Sequence, residues 1–255
     1  MRILVTNDDG ILAPGLDSLA RVAERFGETW VVAPDVERSG VSHAITLTEP
    51  LRACMIAPRR YALTGTPADC VFIALNHLLP EKPDLVLSGI NRGPNLGYDV
   101  LYSGTVGGAM EGTIQGIPAV AFSLVGGGSF DFRWAEEHVG TVIEDVISNG
   151  MPEGVTLNVN LPDPSIADFR GFKLVRLGHR HYSGDVIARE DPRGGEYLWI
   201  GGTRITMDTG QDTDCGVVHS GFASVTPLRP DMMAREAMPA LARYDELGRS
   251  AHTES

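Results

Sequence analysis

The sequence predicts a doubly wound α/β fold with a mostly parallel sheet and an extended β-hairpin arm toward its carboxyl end. Three observations carry this. From Ile3 to Asn160, short apolar runs alternate with segments of helical apolar spacing. Several of these runs stop abruptly at polar, glycine-bearing turns, as Ile3-Leu4-Val5 does at Asn7-Asp8-Asp9-Gly10. Beyond Phe172 the alternation ends, and residues 180–215 are rich in Gly, Asp, Arg and Thr.

Taken in order, Ile3–Val5 is the first buried strand, and Gly10 gives its exit turn the backbone freedom it needs. Leu16, Leu19, Ala20, Val22 and Ala23 form the apolar face of a helix, and Thr29–Pro34 is a second strand with a proline stop. A β-α-β start of this kind implies parallel strands and a right-handed crossover. Ile45–Leu47, Leu51–Cys54 and Tyr61–Leu63 look like extended strands in a small excursion. Thr66-Pro67 then opens a helix, with threonine as its cap and Val71, Phe72, Leu75 and Leu78 as its apolar face.

Leu85–Ser88 is the next strand, and it gives way to a long loop, Gly89–Gly97. A small-residue helix spans Val106–Gln115, followed by a strand at Ala119–Ser123 and a glycine run, Gly126–Gly128. A helix over 131–148 and a strand over Thr156–Asn160 complete the alternating part. Tyr197–Ile200 belongs to the arm, which is too poor in core residues to fold alone and is expected to pack on another subunit. Ala223–Leu228 reads as a last strand, Met233–Leu247 as a short helix, and Gly248–Ser255 as a frayed tail. The chain is thus expected to form a single domain over 1–255, with the core in 1–175, the arm and last strand in 176–232, and a helix and tail in 233–255.

The 255 residues suffice for one sizeable core. A formal net charge of −12 argues against binding a nucleic-acid backbone, although a bound metal would still allow a small phosphorylated substrate. No apolar run is long enough to span a bilayer, and no signal peptide is seen, so a cytoplasmic protein without membrane association is expected. The widely spaced Cys54, Cys70 and Cys215 suit buried thiols in a reducing compartment.

Three strand exits carry oxygen donors: Asp8 and Asp9 on the first, Ser39 on the second, Asn91 and Asn95 on the third. Adjacent carboxylates repel, and a hard divalent ion such as Mg²⁺ or Mn²⁺ removes that cost. Read singly, each of these residues is an ordinary turn residue; their shared position at strand exits is what joins them, because ligands of open α/β sheets bind there. Ser103-Gly104-Thr105 precedes a helix that starts with Val106-Gly107-Gly108, where open backbone N–H groups and small side chains suit a phosphate; an ordinary helix cap is the competing reading. No Walker motif and no Gly-x-Ser-x-Gly elbow is present. His43 reads as a structural loop residue, and His179-Arg180-His181 as a solvated basic patch.

Asn7-Asp8-Asp9-Gly10, Ala33-Pro34-Asp35 with Arg38-Ser39-Gly40, Ser88-Gly89-Ile90-Asn91 with Gly93-Pro94-Asn95, and Tyr102-Ser103-Gly104-Thr105 together resemble the SurE family of stationary-phase survival proteins. Asp191-Pro192-Arg193-Gly194, Tyr197–Gly201 and Ser224–Leu228 resemble its carboxyl-terminal part.

The resemblance implies a metal-dependent phosphatase that acts on nucleoside 5′- and 3′-monophosphates, and sometimes on short polyphosphate. It also implies a three-layer Rossmann-like core, an arm exchanged between subunits of a homodimer or homotetramer, and one Mg²⁺ or Mn²⁺ per subunit on Asp8, Asp9, Ser39 and Asn91. On this footing Asp8 and Asp9 are the expected catalytic residues. Asn95, Ser103, Gly104 and Thr105 are expected to hold the phosphoryl oxygens. Attack by water and attack by Asp8 itself both remain open. A non-catalytic nucleotide sensor is one rival. A dinucleotide oxidoreductase is another, but it needs Gly-x-Gly-x-x-Gly where this chain has Asn-Asp-Asp-Gly.

Overall fold

The computed structural model describes residues 1–126, 130–165, 167–182, 184–201, 205–245 and 247. Strand β1 (Arg2–Thr6) leads through α1 (Pro14–Ala23) to β2 (Glu28–Pro34), and the edge strands β3 (Ala53–Ala57) and β4 (Arg60–Leu63) follow. Helix α2 (Pro67–Ile73), β5 (Leu85–Arg92), α3 (Gly104–Ile114), β6 (Ala119–Leu124), α4 (Phe132–Asn149) and β7 (Thr156–Leu161) continue the alternation. Then come β8 (Phe172–Leu174), β9 (Arg180–Tyr182), β10 (Val186–Glu190), β11 (Glu196–Ile200) and β12 (Ile205–Met207). Helix α5 (Asp214–Val218), β13 (Ala223–Leu228) and α6 (Met238–Leu241) close the chain.

One sheet of nine strands runs β3-β4-β2-β1-β5-β6-β7-β13-β8 among the described residues. From β4 to β7 every neighbour is parallel, and β13 is antiparallel to β7. The chain winds outward from β1 to β2 and β4, then returns to the other side of β1 as β5. That reversal puts the topological switch point between β1 and β5, where a crevice opens at the strands' carboxyl ends.

The continuous apolar runs follow from burial on both faces. Ile3 and Val5 pack with α1 and α4 on one side, while Leu4 packs with Cys70, Val71 and Val106 of α2 and α3 on the other. The same alternation recurs in β5, where Leu85 and Leu87 oppose Val86, and in β6, where Val120 and Phe122 oppose Ala119 and Ala121. Each fully buried aliphatic side chain of this kind contributes about 1.5–3 kcal/mol. Helix α1 can lie close to the sheet only because residue 15 is glycine: a Cβ there would sit 2.1 Å from the Ile90 carbonyl oxygen.

Several expectations are corrected. Ile45–Leu47 forms no strand, because the Thr46 N–H and hydroxyl donate to Asp69, whose carboxylate also completes the capping box with Thr66 at the head of α2. The strands after it begin at Ala53 and extend the main sheet at its edge instead of forming a separate excursion. Phe72 lies on the solvent side of α2, 43% exposed, and the buried face is Cys70, Val71 and Ala74. Cys54 is exposed on edge strand β3, whereas Cys70 and Cys215 are buried.

Strand β5 runs on to Arg92 through the segment expected to be loop, and its register against β6 slips by one residue between Ser88 and Asn91. Gly89 permits this: its φ is +132°, and a Cβ would come within 2.3 Å of the Phe122 carbonyl oxygen. The helix expected over Met233–Leu247 is broken into α6 and two 3₁₀ turns with no buried residue, because Pro239 interrupts the hydrogen bonding and no apolar surface receives it. Residues 127–128 of the glycine run and the tail from Gly248 lie outside the described residues.

The arm is two antiparallel ribbons, β9 with β12 and β10 with β11. Every residue of β10 and β11 is exposed, Leu198, Trp199 and Ile200 among them. Among the described residues, no helix is long and apolar enough to cross a membrane.

Candidate active site

The tip of β1 is closed by a tight turn. Asn7 Nδ2 donates to the Gly10 carbonyl at 3.1 Å, and Gly10 holds a φ of +101°. Asp8, which follows directly, is 4% exposed. Its Oδ1 accepts from the Thr105 hydroxyl, and its carbonyl accepts the Arg38 N–H at 2.7 Å, so the Ser39 turn is tied to it. Burial pushes the Asp8 carboxyl up to about 6; the Thr105 hydrogen bond pulls it back, and the Asp9 charge adds to the rise. Asp9 is half-buried and also raised by burial, against the pull of the Arg92 N–H, which reaches its Oδ2 at 3.2 Å.

The head of α3 abuts this turn. A Cβ on Gly104 would lie 2.8 Å from Asp8 Cβ, so only glycine lets the helix start there. Ser103 caps the helix by accepting the Val106 N–H at 3.1 Å.

Asp8, Ser39, Asn91, Asn95 and Ser103 line one polar cleft of about 450 Å³. Asp9 borders an adjoining depression, with Arg92 shared between the two. Thr105 is fully buried behind Asp8, with its hydroxyl committed to that carboxylate. Ser39 is exposed, and its Oγ donates to Glu37 at 2.9 Å. Asn91 donates through Nδ2 to the Gly93 carbonyl at 2.9 Å, which leaves its Oδ1 available.

Asn95 is fixed from β7. Its N–H donates to Asn160 Oδ1 at 2.8 Å, and its carbonyl accepts from the side-chain amides of Asn158 and Asn160. Sequence reasoning missed both asparagines. Their signal was a polar side, Thr156, Asn158 and Asn160, on a strand whose other side is Leu157, Val159 and Leu161.

The Ser39 loop is held to the core at several points. Ser42 N–H and Oγ donate to the Tyr102 and Leu101 carbonyls, and His43 Nε2 pairs with Glu111 Oε2 at 2.8 Å. His43 lies outside the cleft, as a structural residue would.

At the far end of the cleft stand Asp99, Tyr102, Arg180 and Tyr182. Arg180 is therefore not part of a solvated patch: its side chain is 10% exposed and forms an ion pair with Asp99. Tyr182 OH donates to the same Asp99 oxygen at 3.0 Å. No local pattern in the sequence joins residues 99 and 180.

The donors suit a hard divalent ion. Among the described residues no three His, Cys, Asp or Glu side chains gather, so a cation here would rest on two carboxylates and neutral oxygens. The buried Asn7 Oδ1 without a hydrogen-bond partner and the raised Asp8 carboxyl both mark a turn that a positive charge would relieve.

The family model described as Survival protein SurE matches residues 3–184. A protein of Moorella thermoacetica named 5'-nucleotidase SurE is 46% identical over 249 residues, covering 96% of each chain. One of Vibrio cholerae serotype O1 with the same name is 44% identical and covers 96% of this chain and 97% of its own. The crystal structure of the SurE protein from Aquifex aeolicus superposes with a TM-score of 0.84 at 40% identity, covering 96% of this chain and all of that one.

Proposed function

The chain belongs to the SurE family, and from that premise we propose that it hydrolyses nucleoside monophosphates to nucleoside and inorganic phosphate with the help of a divalent metal ion. The observation that carries the reading is Asp8: a carboxylate buried at the tip of β1, beside Asp9, and facing a polar cleft at the switch point of the sheet.

In this reading Asp8, Asp9, Ser39 and Asn91 hold one Mg²⁺ or Mn²⁺. When bound, the ion supplies Lewis-acid polarisation of a phosphoryl oxygen. The chain's own residues do the rest. Thr105 orients Asp8 through its hydroxyl. Asn95, Ser103 and the first amides of α3 hold the phosphoryl oxygens and stabilise the charge that spreads over them. Asp8 accepts the proton of the attacking water.

The exposed β10–β11 ribbon, with Trp199 and Ile200 uncovered, supports seating on a second copy as a homodimer or homotetramer. The thiols support a reducing, cytoplasmic setting.

The test is phosphate release from AMP and other nucleotides with Mg²⁺ or Mn²⁺, with and without chelator. Release that chelator abolishes supports the reading. Tight nucleotide binding without release, under any metal, makes the chain a sensor and overturns it.

A further inference from the structure

We propose that Arg180 is a phosphate-binding residue of the cleft and that Asp99 orients it, on the premise that the cleft takes a phosphate monoester. The donors assigned to the phosphoryl oxygens so far are all neutral. A dianion calls for a cation as well, and Arg180 is the buried cationic side chain lining the same cleft as Asn95 and Ser103.

Its placement is built, not incidental. Asp214, wholly buried, accepts the Gly97 N–H at 2.8 Å and the Gly178 N–H at 2.7 Å, clamping the turn before Asp99 to the segment that leads into Arg180. A Cβ on Gly97 would lie 2.8 Å from the Gly178 carbonyl oxygen and 3.1 Å from the Arg180 nitrogen, so the two segments touch only through glycine. Asp99 in turn accepts the Tyr102 and Ser103 N–H groups on its carbonyl, both at 3.0 Å. The cation is thereby referenced to the cap of α3, where the phosphate is expected. The Arg180 guanidinium lies over the Tyr182 ring, 5.3 Å from its centroid.

The guanidinium is only partly used. Nη1 meets Asp99, while Nε is buried and has no hydrogen-bond partner. Nη2 makes no hydrogen bond among the described residues either. Nε and Nη2 share one edge of the planar group, the fork that grips two oxygens of a phosphate at once. A buried, unpaired donor such as Nε is costly to maintain without a ligand to fill it. Asp99 takes the opposite corner, so it fixes the plane without blocking the fork.

The experiment measures inorganic phosphate and adenosine binding by calorimetry on the full chain loaded with Mg²⁺, for the wild type, Arg180→Gln and Arg180→Lys. Circular dichroism and thermal melting check the fold of each variant. R180Q is expected to weaken inorganic phosphate by roughly ten- to hundredfold, the range of a lost charge-assisted hydrogen bond, with adenosine unchanged. R180K, which keeps the charge but loses the fork, should lie between R180Q and the wild type. Unchanged phosphate affinity in folded R180Q overturns the proposal. Equal losses for phosphate and adenosine do so too, since they mark a merely structural role. Because binding needs no turnover, the two readings fail separately: a chain that binds phosphate through Arg180 but hydrolyses no nucleotide refutes the proposed activity alone.

Discussion

The Thr105 hydroxyl at the head of α3 donates to the Asp8 carboxylate at the tip of β1, across 97 residues of sequence. Neither group has another side-chain partner among the described residues. The bond joins the two halves of the site, the turn assigned to the cation and the helix head assigned to the phosphate. Thr105→Val keeps the shape and removes the donor. A hydrogen bond to a charged group is worth about 1.5–3 kcal/mol, so kcat/KM for a nucleoside monophosphate should fall roughly ten- to hundredfold. Steady-state assays on the folded variant check this, and turnover within twofold of the wild type would exclude Thr105 from orienting Asp8.

Asp8 should destabilise the metal-free protein. Its folded value of about 6 lies above the ordinary 3.8, so the protonated form is favoured by folding. Its contribution to stability is fully present below the ordinary value and is lost as pH rises through about 6. In chelator at pH 7.5, Asp8→Asn should therefore be more stable than the wild type, by about 3 kcal/mol at most, since one pKa unit corresponds to about 1.4 kcal/mol. The advantage should vanish near pH 3.5. Urea unfolding at both pH values reads it, and an Asp8→Asn protein less stable at pH 7.5 contradicts the burial argument.

His43 and Glu111 anchor the loop that carries Ser39. Glu111→Ala leaves His43 without its partner and opens a small gap beside α3. The expected result is weaker Mn²⁺ binding by titration calorimetry, roughly three- to tenfold, with a stability loss of about 1–3 kcal/mol. Stability loss with unaltered Mn²⁺ affinity would separate that anchor from the site.

Gly15→Ala should disturb chemistry from a distance. Its Cβ would overlap the Ile90 carbonyl, one residue before Asn91. Relief requires α1 or the β5 bulge to shift, at a cost of about 1–3 kcal/mol or more. Thermal melting and AMP turnover should fall together; a variant with the wild-type melting point would mean that the helix has room to retreat.

The nucleophile is separable by stereochemistry. On a nucleotide with chiral phosphorus, one in-line attack by water inverts the configuration, whereas attack by Asp8 followed by hydrolysis of the aspartyl-phosphate inverts it twice and retains it. Retention replaces the proton-accepting role proposed above with a covalent one.

What could be read in advance was local. Ile3–Val5, the Thr66-Pro67 helix start and the Ser103 cap each announce themselves within a few residues, because apolar period and capping are short-range physics. The turns bearing Asp8 and Ser39 were recognisable as strand exits for the same reason, whereas Asn91, expected in a loop, lies on β5 itself. What escaped was set by long-range partners. Thr46 was taken from a strand by Asp69, Phe72 was turned outward by packing that prefers Cys70 and Ala74, and Arg180 was drawn into the cleft by Asp99. Asp69 is 23 residues from Thr46 and Asp99 is 81 from Arg180, and no periodicity encodes either pair.

Strand β13 lies inside the sheet, between β7 and β8, although it is the last strand to be made. During synthesis the backbone of β7 therefore stays an open edge until Leu228 has left the ribosome. Fragments that stop within the arm would present that edge to one another, and self-association of such truncations is the hazard this topology builds in.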